Sequence, residues 1–122
     1  MPTIDLTHAD FEPTVRENDI VLVDFWAQWC GPCRNFAPVY HDAAAENPDV
    51  VFGKVDTEAE QELAAMANIT SIPTLMAFRE GVLVYARPGA LPRANLDEVI
   101  QAVRDLDMDK VRAKLADSAK ND

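Results

Sequence analysis

Ile20-Val21-Leu22-Val23-Asp24-Phe25 runs directly into Trp26-Ala27-Gln28-Trp29-Cys30-Gly31-Pro32-Cys33, and this stretch holds both cysteines and both tryptophans of the 122-residue chain. The lead-in is too uniformly apolar for a half-exposed strand, which predicts a buried central one over 20–26. Beyond the motif, Cys33, Phe36, Tyr40 and Ala44 recur at helical spacing, so a helix follows to about Glu46. A strand feeding a helix through Cys-Gly-Pro-Cys decides the fold class as α/β.

The spacing also carries chemistry. Residues three apart share a helix face, so the two thiols can close one small ring. An ordinary thiol with a pKa of about 8.5 is only about 3% ionised at pH 7. A helix N-terminus, with its unpaired N–H groups and partial positive charge, favours the thiolate. Cys30 precedes the first turn and collects this stabilisation, whereas Cys33 lies one turn inside. The expected roles are therefore Cys30 as attacking nucleophile and Cys33 as resolving thiol. Pro32 is tolerated in a first turn, where its missing N–H has no partner to lose, and Gly31 permits close approach of a bound partner.

Asp24 is the single acid of the lead-in strand. A carboxyl buried there is costly unless it has work to do. Burial raises its pKa, which suits it to exchange a proton with Cys33.

Composition narrows the class. One domain is expected at this length, with a core that needs no disulfide staples. The N-terminus shows no basic region followed by an apolar run, and no apolar stretch approaches the roughly 20 residues of a membrane span. A cytoplasmic protein is expected. Its formal charge of −10, from 21 acids and 11 bases, argues against nucleic acid and anionic membranes as partners and for a soluble monomer. Zinc would need two ligands besides the cysteines, and His8 and His41 stand at no familiar spacing. No metal or other cofactor is expected.

In chain order, Thr3 to Leu6 reads as a short strand. A helix over His8 to Glu17 follows, opened by Thr7 and Asp10 and disturbed by Pro13. Pro38 should bend the helix after the motif. Val50 to Asp56 is a third strand, and Thr57 with Glu60 reads as the capping box of a helix carrying Ala59, Leu63, Met66 and Ala67, closed by Asn68. Thr74 to Arg79 and Val82 to Arg87, joined by Glu80-Gly81, form an antiparallel hairpin. Leu96, Val99, Ile100 and Val103 give a helix stripe. The domain spans residues 1–104. The acidic extension 105–122 is read as one or two helical turns over Asp109 to Ala116 followed by a frayed end.

This pattern resembles the thioredoxin family, from about Thr7 to Arg104. The resemblance rests on Val-Asp-Phe-Trp-Ala at 23–27, Trp-Cys-Gly-Pro-Cys at 29–33, Ser-Ile-Pro-Thr at 71–74 and Pro-Gly-Ala at 88–90. It implies a thioredoxin fold, with a central mixed five-stranded sheet flanked by four helices. It implies a general protein disulfide reductase that is regenerated by a thioredoxin reductase and acts on disulfide-containing proteins. It also implies a cis peptide at Ile72-Pro73, a lysine, Lys54, near the buried acid, and a shallow docking surface of Trp29, Ile72, Pro73, Gly89 and Ala90 beside Gly31 and Pro32. Arg34 stands where the family often has lysine, Glu80-Gly81 replaces a more usual Asn-Gly turn, and Arg87-Pro88 alters the rim of that surface. An oxidant or isomerase on the same fold, and a binding module without redox turnover, are the competing readings.

Overall fold

The computed structural model describes residues 2–120. The elements in order are β1 (Thr3–Asp5), α1 (His8–Glu17), β2 (Ile20–Trp26), α2 (Gly31–Glu46), β3 (Val51–Asp56), α3 (Gln61–Met66), β4 (Thr74–Arg79), β5 (Val82–Pro88), α4 (Arg93–Arg104) and α5 (Met108–Lys120). The five strands form one sheet in the order β1-β3-β2-β4-β5. β1, β3 and β2 are parallel, and β4 and β5 join antiparallel. This is the mixed sheet expected from the sequence.

β2 lies at the centre, and all but its last residue are buried. Its alternation splits the core in two, because successive strand side chains face opposite ways. Ile20 and Leu22 pack with Phe36 and Tyr40 of α2 and Leu96 and Ile100 of α4. Val21, Val23 and Phe25 pack with Val15 of α1 and Leu63 of α3 on the other side. By the same alternation Asp24 belongs to the α2 face, the face on which Cys33 sits.

Local signals explain most helix ends. Thr7 Oγ1 accepts the Asp10 N–H and donates to the Asp10 carboxylate, so α1 opens as read. α1 and α2 run continuously past Pro13 and Pro38. Asn68 takes φ +57° just beyond α3, and Ile69 N–H closes on the Ala64 carbonyl in a left-handed cap.

Three expectations need correction. Thr57 and Glu60 do not form a capping box: α3 begins only at Gln61, Glu60 makes no side-chain cap, and Ala59 lies outside the helix. The Thr57 hydroxyl is drawn instead to the Trp26 carbonyl, 3.1 Å away, and Glu60 accepts the His8 N–H. The extension is a fifth helix of 13 residues rather than one or two turns. Met108, its first residue, is buried and Arg112 pairs with Glu80, 32 positions away; a contact so distant in sequence explains why local composition understates the helix. Of the end expected to fray, 121–122 lies outside the described residues, whereas 117–120 continues the helix. β5, finally, runs one residue further than expected, to Pro88.

Candidate active site

β2 delivers its C-terminal end to the N-terminus of α2, and both cysteines sit at that junction. Cys30 is the N-cap of α2, and its Sγ accepts the Cys33 N–H at 3.2 Å. The two cysteines are joined in a disulfide with their Cα atoms 5.2 Å apart. Both are buried, at 4% and 2% exposure, so accessibility alone hardly separates them. The asymmetry lies in position: Cys30 lines the neighbouring concavity and Cys33 does not.

That concavity, of about 450 Å³, is walled by Trp29, Gly31 and Pro32 on one side and by Ile69, Ser71 and Ile72 on the other. Trp29 is two-thirds exposed, and its indole N–H donates to Glu58 Oε1 at 2.6 Å. The Ile72-Pro73 peptide is cis, and the Ile72 carbonyl oxygen stands 3.8 Å from Cys30 Sγ. Pro73 is buried, and its carbonyl accepts the Gly89 N–H at 2.8 Å. Gly89, at φ +103°, uses a conformation that L side chains rarely adopt.

The residues implied by the resemblance are thus only partly assembled. Trp29, Gly31, Pro32 and Ile72 share the concavity. Pro73, Gly89 and Ala90 do not line it; Gly89 is tied to Pro73 by its N–H, and Ala90 is exposed. Thr57, Ala64, Ile69, Thr70 and Ser71 do line it. Ser71 belongs to the Ser-Ile-Pro-Thr stretch and Thr57 is read only as a helix cap, while no sequence signal marks Ala64, Ile69 or Thr70, which the sheet order and the left-handed cap after α3 bring to the concavity.

Asp24 is 1% exposed, and neither carboxylate oxygen has a hydrogen-bond partner among the described residues. Burial pushes its pKa up to about 7, and the Lys54 ammonium opposes the rise only in part. Lys54 is its register partner across β2 and β3. The ammonium lies 4.6 Å from the centre of the Trp26 ring, a cation–π contact that holds it near the acid. The Tyr40 hydroxyl donates to the Gly53 carbonyl at 2.8 Å, and burial with the nearby Asp24 charge raises its pKa. A proton acceptor near neutrality and a reversible disulfide at a helix N-terminus are the parts that thiol–disulfide exchange needs.

Comparison with known proteins agrees. Residues 2–102 match the family model described as Thioredoxin. A Streptomyces coelicolor protein bearing the thioredoxin 2 name is 59% identical over 115 residues, which cover 94% of this chain and 86% of that protein. Thioredoxin 1 of Synechococcus elongatus is 46% identical over 93 residues, 75% of this chain and 87% of that one. Among solved structures, thioredoxin of Fasciola hepatica superposes with a TM-score of 0.75 at 40% identity, covering 82% of this chain and 97% of that chain.

Proposed function

The chain belongs to the thioredoxin family and performs dithiol–disulfide exchange as a protein-disulfide oxidoreductase, and from that premise we propose the following division of roles. The reduced protein acts as a general cytoplasmic reductase of protein disulfides, working as a monomer without nucleic acid or membrane. Cys30 thiolate attacks one sulfur of a target disulfide; the target S–S bond breaks, and one target thiolate leaves and takes up a proton. Asp24, with Lys54 beside it, accepts the Cys33 proton. The Cys33 thiolate then attacks Cys30 Sγ, the mixed disulfide breaks, and the second target thiol leaves. Cys30–Cys33 is oxidised, the target gains two electrons and two protons, and a thioredoxin reductase restores the dithiol.

The target docks on Trp29, Gly31, Pro32, Ile72 and Pro73, with Gly89 and Ala90 as the outer rim. The observation that carries this reading is Cys30 at the N-cap, its sulfur bonded by the Cys33 N–H and open to the concavity. Cys30→Ser abolishes turnover of a protein disulfide, whereas Cys33→Ser accumulates mixed disulfides with targets on a non-reducing gel. Substantial activity in the first variant overturns the assignment. A reduction potential near the thioredoxins' own value of about −270 mV fits a net reductant, and one above roughly −200 mV places the protein with oxidants and isomerases.

A further inference from the structure

A second groove of about 480 Å³ lies between β5 and α4, lined by Tyr85, Leu91, Ala102 and Leu106 with Arg87 and Glu98 exposed at its rim. β5 is an edge strand, bonded to β4 on one side only, so its other side offers unpaired backbone groups to an added strand. The bulge at Val84, where the register steps from Phe78↔Leu83 to Ala77↔Tyr85, confines regular pairing to the Tyr85–Pro88 end. That end continues into Gly89, whose N–H is held by the Pro73 carbonyl beside the cysteine pair. The groove and the disulfide docking surface therefore meet at Pro88-Gly89.

Arg87 sets the chemistry of the occupant. Arg16, Arg34, Arg79, Arg93, Arg104 and Arg112 each hold a carboxylate or a carbonyl. Arg87 alone of the arginines has no hydrogen bond or ion pair among the described residues. In a chain of net charge −10, it is the one cation on this groove and the place where an incoming carboxylate is not repelled.

We propose that the β5–α4 groove is an extended docking site for disulfide partners. A segment flanking the target disulfide lies along the β5 edge, lowers alternate apolar side chains between Tyr85 and Ala102, and places an acidic side chain on Arg87. Main-chain pairing along an edge gives affinity, and the side chains give selectivity. This rests on the disulfide-exchange reading above. Arg87-Pro88, the departure from the usual rim, then becomes a selectivity element.

The test uses peptide disulfides with and without an extension of about eight residues that carries alternating Leu and Val and one Glu. On the wild-type protein the extension lowers KM about tenfold with kcat unchanged, a size expected of one charge-assisted hydrogen bond with some apolar burial. Arg87→Glu removes the advantage of the Glu peptide and restores it for a Lys peptide. Ala102→Trp, which fills the groove, removes it for both. Equal KM values with and without the extension, or an advantage that survives both variants, overturn the groove site. Failure to reduce even the unextended peptide would strike the disulfide-exchange reading instead. A cysteine-free version of the extension, titrated onto the oxidised protein by fluorescence anisotropy, reads the groove without any redox step: binding weakened by Arg87→Glu supports the site, and binding equal to that of a scrambled peptide overturns it.

Discussion

The indole N–H of Trp29 donates to the Glu58 carboxylate at 2.6 Å, fixing the exposed aromatic wall of the cysteine concavity. The loop that carries Glu58 is itself clamped. Thr57 gives both its N–H and its hydroxyl to the Trp26 carbonyl, and Asp56 Oδ1 accepts the Glu58 N–H. A short polar loop thus ties the ring to the end of the central strand. Preorganisation of this kind lowers the ordering cost of binding.

Glu58→Ala leaves the loop clamps in place and frees the indole. KM for peptide disulfides should rise about three- to tenfold, the scale of one exposed charge-assisted hydrogen bond, with kcat near wild type. Steady-state kinetics and the Trp29 fluorescence anisotropy check this together. An unchanged KM with a freed indole would show that ring orientation does not matter for docking.

The Asp24 carboxyl, held up near 7 by burial against 3.8 unfolded, makes stability depend on pH in the direction opposite to a salt-bridged acid. Between these values the folded state binds more protons than the unfolded one, so stability is fully present below about pH 4 and is lost as pH rises toward 7. The slope approaches 1.4 kcal/mol per pH unit at its steepest. Asp49, whose pKa Arg104 lowers, acts in the other sense, so the informative quantity is the difference between wild type and Asp24→Asn. Urea unfolding of the oxidised forms should show the variant gaining on the wild type as pH rises, and parallel curves would refute the raised pKa. In turnover, the same substitution should slow resolution at neutral pH if Asp24 accepts the Cys33 proton as proposed.

Much of this architecture is legible in the chain, and what is not has a common cause. β2 and α2 announce themselves because burial on both faces and a 3.6-residue period are written locally. The Thr57–Glu60 pattern is a true capping-box string, yet the Trp26 carbonyl, 31 positions away in sequence, takes the Thr57 hydroxyl first. α5 looks too poor in apolar residues to persist, and the Arg112–Glu80 pair that helps to seat it spans 32 positions. The concavity likewise gains Ala64, Ile69 and Thr70 only once the sheet order is known. Contacts distant in sequence are what periodicity cannot reach.

Gly53 illustrates a constraint hidden from pattern reading. A Cβ placed there would meet Leu6 Cδ1 at 2.5 Å, between β3 and the buried Leu6 that follows β1. Only the end of a flexible side chain stands in the way, so Gly53→Ala should fold. Its stability should fall by about 1–3 kcal/mol, as overpacked cores do. Thermal unfolding measures it, and a Gly53→Ala/Leu6→Ala double mutant less destabilised than the sum of the singles would locate the clash at Leu6.

α5 gives the remaining test, because its contacts suggest a brace rather than a working part. Met108 is its one buried residue among those whose burial is described, Leu115 is 51% exposed, and Arg112 pairs with Glu80 at the β4–β5 turn. The C-terminus of α4 does not depend on it: the Arg79 guanidinium already donates to the Val103 and Arg104 carbonyls. Ending the chain after Asp107 should therefore remove about the burial of one methionine, roughly 1.5–3 kcal/mol, together with an exposed ion pair that contributes under about 1 kcal/mol. The truncated protein should unfold at lower urea concentration while its reduction potential and its KM for an unextended peptide disulfide stay as in the full chain. A shifted potential would mean that α5 reaches the cysteine pair energetically and that residues 1–104 are not the whole working domain.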